Sequence, residues 1–297
     1  MRDLEYAIRK LDSQANIVNC SDIACVSPDR LYVEAIKRWI KITDFRSAFV
    51  RYPYDLIPPH VETYQLREEI ERLKTIALLL SHVSLNPVAA SWAIRNRLYS
   101  LGLAAQYGLL TPASVIVNSQ EYIDGNMASD PVLCKAIGNC YVSESTHAIP
   151  QAFRDYLRVE EDDGDTAAIF PASLLNEDDI KSYLSSVPVA LLQEYIDDAL
   201  EYRGYYIDGE FFFYMREACS AIDSSAAAYK ETPFLPPEEF QLKFTEYARF
   251  INLKYICFDL LSKSNGVCLV IDINPYGSLP KYSQFPGPTD SLAKALL

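Results

Sequence analysis

Apolar residues recur at spacings of three and four over 64–81, where Leu66, Ile70, Leu73, Ile76 and Leu80 share one face and charges take the other. That spacing predicts an amphipathic helix. A second helix is predicted over 89–107; it follows Asn86-Pro87 and stops at Gly108, a residue suited to a left-handed cap. A third covers 237–252. Ahead of them, the runs 15–18, 30–34 and 47–50 read as short strands and close in the proline-marked RYPYDLIPPH, which predicts a small α/β unit and a linker. Further strands are predicted at 115–117, 132–137, 189–196, 205–207, 210–215, 255–260 and 267–273. The last four form two hairpins, through Asp208-Gly209 and through a turn containing Asn265-Gly266. The acidic run over 160–165 reads as a solvated surface turn. The pattern is α+β, with mixed sheets, inserted helices and no internal repeat.

Composition narrows the function. The chain has 297 residues, 49% of them hydrophobic, enough to fill a sizeable core. With 27 Lys plus Arg against 40 Asp plus Glu, the net charge of −13 repels phosphate backbones, so no nucleic acid is expected as partner. The seven cysteines are scattered, odd in number and never spaced as Cys-x-x-Cys, which predicts buried reduced thiols and a cytoplasmic protein. Apolar runs such as 76–80 and 267–271 are far shorter than a membrane span, so no membrane association is expected. Ten glycines form no dinucleotide fingerprint or P-loop, and His60, His82 and His147 are too dispersed to suggest a metal site.

Candidate chemistry concentrates late in the chain. Asp259 on one strand of the final hairpin faces Asp272 and Asn274 on the other, and the i, i+2 spacing puts the latter two on one face. Three oxygen donors suit Mg²⁺ bridging phosphate oxygens; a half-buried hairpin with a solvated polar face explains them equally well. Gln193, Glu194, Tyr195 and Ile196 end a strand that can offer backbone groups to an adenine edge. Arg203 is either a phosphate-neutralising cation or a surface ion-pair partner. Lys135, alone on an apolar strand, is either a phosphate contact or an edge-strand gatekeeper.

The order of these elements from about Phe49 to Gly277 resembles the ATP-grasp fold, and within it the microviridin-type (graspetide) peptide maturases, with the ribosomal-protein glutamate ligases as a broader relative. The marks are Val50-Arg51-Tyr-Pro, Ser84-Leu-Asn86-Pro87, the segment from Arg97 to Pro112, Lys135, Gln193-Glu194-Tyr195-Ile196, Glu201-Tyr-Arg203 and Asp272-Ile-Asn274-Pro-Tyr-Gly277. The resemblance implies two α+β subdomains gripping ATP behind a small N-terminal α/β region, divided as 1–85, 86–190 and 191–297. It implies a ligase that phosphorylates a carboxylate and passes the acylphosphate to an amine or hydroxyl, forming lactam or lactone crosslinks in a ribosomally made precursor peptide with a leader segment. Arg97 and Lys135 would contact phosphates, Gln193 to Ile196 would form the adenine-binding strand end, Glu201 would bind ribose, Arg203 would be catalytic, and Asp259, Asp272 and Asn274 would bind Mg²⁺. A homodimer is the expected assembly. The departures are Arg97 for lysine, Asp272 for glutamate, Asp197-Asp198 in place of the lysine after the hinge, and no Asp-Trp-Arg motif between Asp223 and Glu231. A ligase of a small-molecule carboxylate and a non-catalytic nucleotide- or peptide-binding protein are the alternatives.

Overall fold

The computed structural model describes residues 2–50, 63–118, 132–135, 141–142, 158–162, 165–169, 173–175, 190–217, 228–232 and 234–297. Helix α1 (Arg2–Leu11) precedes a small antiparallel sheet, β1 (Ile23–Val26), β2 (Arg30–Val33) and β3 (Arg38–Lys41). Leu31 and Val33 of β2 are buried, and Ile23, Leu31 and Ile42 pack with Ile76 of α2 (Thr63–Leu79), the helix that the apolar spacing predicts, and with Leu80 just after it. The run 15–18 is not a strand, and of 47–50 only Ala48 makes a bridge, to Ser84, because neither run has a neighbour that continues a ladder. Cys25 is exposed rather than buried, because it lies on the solvent side of β1.

The helix predicted over 89–107 divides into α3 (Val88–Ile94) and α4 (Arg97–Gln106). Asn96 makes the break: its backbone is extended and its Oδ1 accepts the N–H of Tyr99 at 3.0 Å, capping α4. A four-stranded sheet follows, ordered β4 (Ser114–Val117), β10 (Ala190–Glu194), β5 (Val132–Lys135), β9 (Ser173–Leu175). A three-stranded sheet is ordered β6 (Tyr141–Val142), β8 (Asp165–Ile169), β7 (Arg158–Asp162). Most of the acidic run predicted as a turn is therefore strand, with Asp162 paired to Asp165; 163–164 lie outside the described residues.

The largest sheet is β13 (Ala228–Glu231), β12 (Glu210–Glu217), β11 (Ala199–Ile207), β14 (Tyr255–Lys263), β15 (Cys268–Asn274), all antiparallel. One face carries Tyr202, Tyr206, Phe213, Phe258, Leu260, Val270 and Ile273 onto α4 and α5 (Glu238–Phe250), forming the main core. Gly204 belongs to that face because a Cβ there would lie 2.3 Å from Cζ of the buried Phe258 ring. The opposite face is split along its strands: Tyr205, Ile207, Tyr214, Tyr255 and Cys257 are covered by α1 and α6 (Pro286–Leu296), through Leu4, Ala7, Leu292, Ala293 and Leu296. Neither covering helix is predicted from the apolar spacing. Among the described residues, no helix is long and apolar enough to cross a membrane.

Candidate active site

The half of that face beyond α1 and α6 is charged. The Asp208-Gly209 turn, with both residues at positive φ, pairs Ile207 with Glu210 and sets the register by which Tyr202 faces Met215 and Arg203 faces Tyr214. On the other side of β11, Arg203 is directly opposite Asp259, and Asp259 is directly opposite Asp272 on β15. A bulge makes the last pairing usable. Leu260 pairs with Val270 while Asp259 pairs with Asp272, so Ile271 is an extra residue that lets Val270 enter the core and Asp272 face the site.

Arginines and carboxylates interlock here. Arg203 Nε lies 2.7 Å from Asp259 Oδ1, an ion-pair contact without hydrogen-bond alignment, and Arg203 Nη1 donates to Cys257 Sγ at 3.0 Å. Arg216 Nη1 donates to Glu201 Oε1 at 2.6 Å and to Asp259 Oδ2 at 3.3 Å. The Arg216 side chain is 3% exposed, so its charge depends on those carboxylates for compensation. Burial, then the adjacent Asp259 charge, pushes the Glu201 carboxyl up from its ordinary value against the pull of Arg216 and Arg203. Burial pushes the Cys257 thiol up to about 11.

Arg97 opens α4, where a cation opposes the helix dipole; Asp272 offsets this by accepting from Arg97 Nε at Oδ1, 3.2 Å. Arg97, Glu201, Arg203, Asp259 and Asp272 are thus brought together by direct contacts and strand register. Arg216 joins them without having been predicted, although its place is countable: stepping outward from the two-residue turn sets 216 across from 201. Gln193 is buried and donates from Nε2 to Ser114 Oγ at 3.1 Å. Glu194 uses its N–H on the Ala113 carbonyl at 2.8 Å and its Oε2 on the Ala113 N–H at 3.1 Å, pinning the end of β10 to the start of β4. Tyr195 and Ile196 follow in the half-buried connection to β11. Lys135 ends β5 opposite Leu191; its side chain lies outside the described residues.

The chemistry of the predicted metal donors fits Mg²⁺. Two carboxylates oppose each other on adjacent strands, and Asn274 adds an amide oxygen, which accepts the Tyr276 N–H at 2.9 Å. Among the described residues no group of three His, Cys, Asp or Glu is placed to hold a metal ion. Mg²⁺ needs no such cage, since one or two carboxylates plus phosphates and water satisfy it.

No family model matches the chain, and no curated protein matches it by sequence. Solved structures do match it along its whole length. The macrocyclase MdnC from Microcystis aeruginosa MRC, bound with precursor peptide MdnA, superposes with a TM-score of 0.72 at 16% identity over 99% of this chain and 94% of that one. The chain has the ATP-grasp fold. The ATP-grasp ligase PsnB, complexed with a phosphomimetic variant of its minimal precursor, Mg and ADP, gives 0.67 at 13% identity over 99% and 92%. D-cycloserine synthetase DcsG gives 0.60 at 12% identity over 100% and 93%. Strands β11, β12, β14 and β15 form the sheet that carries the charged cluster, and β10 of the four-stranded sheet leads into it.

Proposed function

We propose that this chain is an ATP-dependent ligase that activates a carboxylate as an acylphosphate and joins it to an amine or hydroxyl, acting on a ribosomally made precursor peptide. The observation that carries the reading is the cluster of Arg97, Arg203 and Arg216 against Glu201, Asp259 and Asp272 on the charged half of an ATP-grasp sheet. The peptide substrate is supported by the neighbours MdnC and PsnB, which align with higher TM-scores than the D-cycloserine synthetase.

ATP supplies the phosphoryl group. Asp259, Asp272 and Asn274 would hold Mg²⁺, which neutralises phosphate oxygens when bound. Arg97 would turn from Asp272 toward phosphate and leave that carboxylate to Mg²⁺, while Arg203, held at Nε by Asp259 and at Nη1 by Cys257, would offer its remaining N–H groups to phosphate. The substrate carboxylate takes the phosphoryl group and ADP leaves; an amine or hydroxyl then attacks the acyl carbon, losing its proton as inorganic phosphate departs. Arg203 balances charge on the transferring group and on the tetrahedral intermediate, so the work is positioning and electrostatics, with no protein nucleophile. Tyr195 and Ile196 present backbone groups to adenine beside the pinned Glu194, Glu201 reaches ribose, and Lys135 contacts phosphate. We keep the three-part division at 1–85, 86–190 and 191–297 but move its last border to 195–198, because β10 pairs in the central sheet. A cytoplasmic homodimer completes the reading.

Isothermal titration with a non-hydrolysable ATP analogue tests it. Metal-dependent binding that disappears in the Asp272→Ala, Asn274→Ala double variant is the expected result; no binding to wild type at millimolar nucleotide, with or without peptide, would overturn the ligase reading.

A further inference from the structure

The boundary between the two halves of the sheet face runs between Arg203 and Tyr205 on β11 and between Asp259 and Cys257 on β14. A side-chain contact crosses it, from Arg203 Nη1 to Cys257 Sγ at 3.0 Å. Because Cys257 and Asp259 are two residues apart on β14, they hold one guanidinium at two points, Nη1 and Nε. A guanidinium is a rigid planar fork, so two fixed points set its plane.

The sulfur has no room to retreat. Cys257 is wholly buried, and the backbone of Gly277 presses on it: a Cβ at 277 would lie 2.2 Å from Cys257 Cβ and 2.6 Å from its Sγ. That backbone is itself fastened to the sheet. Tyr255 donates its hydroxyl to the Gly277 carbonyl at 2.6 Å, and Tyr205 donates to the Ser278 carbonyl at 3.0 Å. The same turn includes Asn274, whose carbonyl accepts the Gly277 N–H at 3.4 Å. Sulfur is a weak acceptor, so it can aim the N–H without competing with phosphate as a carboxylate would.

We propose that Cys257, backed by Gly277, is a positioning residue that sets the plane of the Arg203 guanidinium for the transferring phosphoryl group. The inference rests on the ligase reading for the role of Arg203, while the Cys257 contact stands on geometry alone. Two measurements on the full chain separate these levels. The first compares the affinity for Mg²⁺-ADP with that for Mg²⁺-ADP plus aluminium fluoride, a mimic of the phosphoryl group in transfer. Arg203→Ala should abolish the gain due to fluoride. Cys257→Ala should reduce that gain about tenfold, the effect of losing one hydrogen bond to a charged group, with ADP affinity within twofold of wild type; Cys257→Ser should restore most of it. The second measurement needs no nucleotide. In ¹⁵N–¹H spectra, the Arg203 side-chain signal, assigned by its loss in Arg203→Lys, should show restricted Nη rotation in wild type and Cys257→Ser, and averaging in Cys257→Ala. A wild-type fluoride gain and unchanged rotation in Cys257→Ala would overturn the proposal, as would equal losses of ADP and fluoride affinity, which mark a merely structural thiol. If wild type binds no nucleotide, the ligase reading fails, and the spectra alone decide whether Cys257 positions Arg203.

Discussion

The two halves of one sheet face are built from the same three strands and differ in what lies above them. Under α1 and α6 the strands present Tyr205, Ile207, Tyr214, Tyr255 and Cys257; beyond the helices they present Glu201, Arg203, Arg216 and Asp259. In the covered half, apolar contact stabilises the fold, and tyrosine hydroxyls find backbone carbonyls. In the charged half the side chains hold one another, Arg216 with Glu201 and Asp259, Arg203 with Asp259, and Arg97 with Asp272. Position along a strand, rather than alternation between faces, separates structure from chemistry here.

The strongest way to break that comparison is Arg216→Met. It leaves Glu201 and Asp259 as adjacent carboxylates with one buried compensating charge removed, and about 3–5 kcal/mol of stability should be lost in urea unfolding. Removing Asp259 as well should recover part of that loss, since the deficit comes from uncompensated charge. Equal losses in the single and double variants would show that Arg216 matters through packing alone.

Asn86→Ala probes the covered half. Asn86 is buried; its Nδ2 donates to the Tyr255 carbonyl at 2.7 Å and, more weakly, to Pro275 at 3.4 Å, while its Oδ1 accepts the N–H groups of Lys254 and Tyr255, both at 2.9 Å. One amide thus ties the segment after α2 to the start of β14 and to the turn after β15. Its loss leaves backbone groups unsatisfied and should cost roughly 2–3 kcal/mol. Nucleotide affinity measured at low temperature, where the variant remains folded, should stay near wild type, whereas Arg216→Met should alter it. A large affinity change in Asn86→Ala would mean the two halves are not separable.

Much of this division is legible in the sequence because short turns fix register. Asp208-Gly209 aligns β11 with β12, and the final hairpin brings Asp259 to Asp272 and Asn274. What escapes pattern reading depends on single-residue events. The bulge at Ile271 looks like uninterrupted apolar strand, and the break at Asn96 is invisible to spacing because apolar residues continue on both sides. Of the covering helices, α1 buries only Leu4 and Ala7, and α6 buries polar Thr289 and Ser291 among its apolar residues, so tertiary contact rather than a long periodic apolar face defines them. Arg216 was countable from the turn but lies in an aromatic strand that reads as packing. Cys257 gives no chemical signal until Gly277 and Arg203 are placed around it.

The smallest expected effect sharpens the boundary further, through the pH dependence of Glu201→Gln. In the folded chain the Glu201 carboxyl titrates above its ordinary value, chiefly because it is buried and secondarily because Asp259 is beside it, with Arg216 and Arg203 opposing both. As pH rises past the ordinary glutamate value, the unfolded chain releases this proton first while the folded chain still holds it. The folded state then binds more protons than the unfolded state, and stability must fall as pH rises through that window until the folded group ionises too. Glutamine keeps an acceptor for Arg216 and cannot titrate, so its melting temperature should follow wild type at acid pH and gain on it as pH climbs toward neutral. If Glu201→Gln instead loses ground as pH rises, the two arginines outweigh burial, and the charged half is a set of stabilising ion pairs rather than a site whose charges are held at a cost.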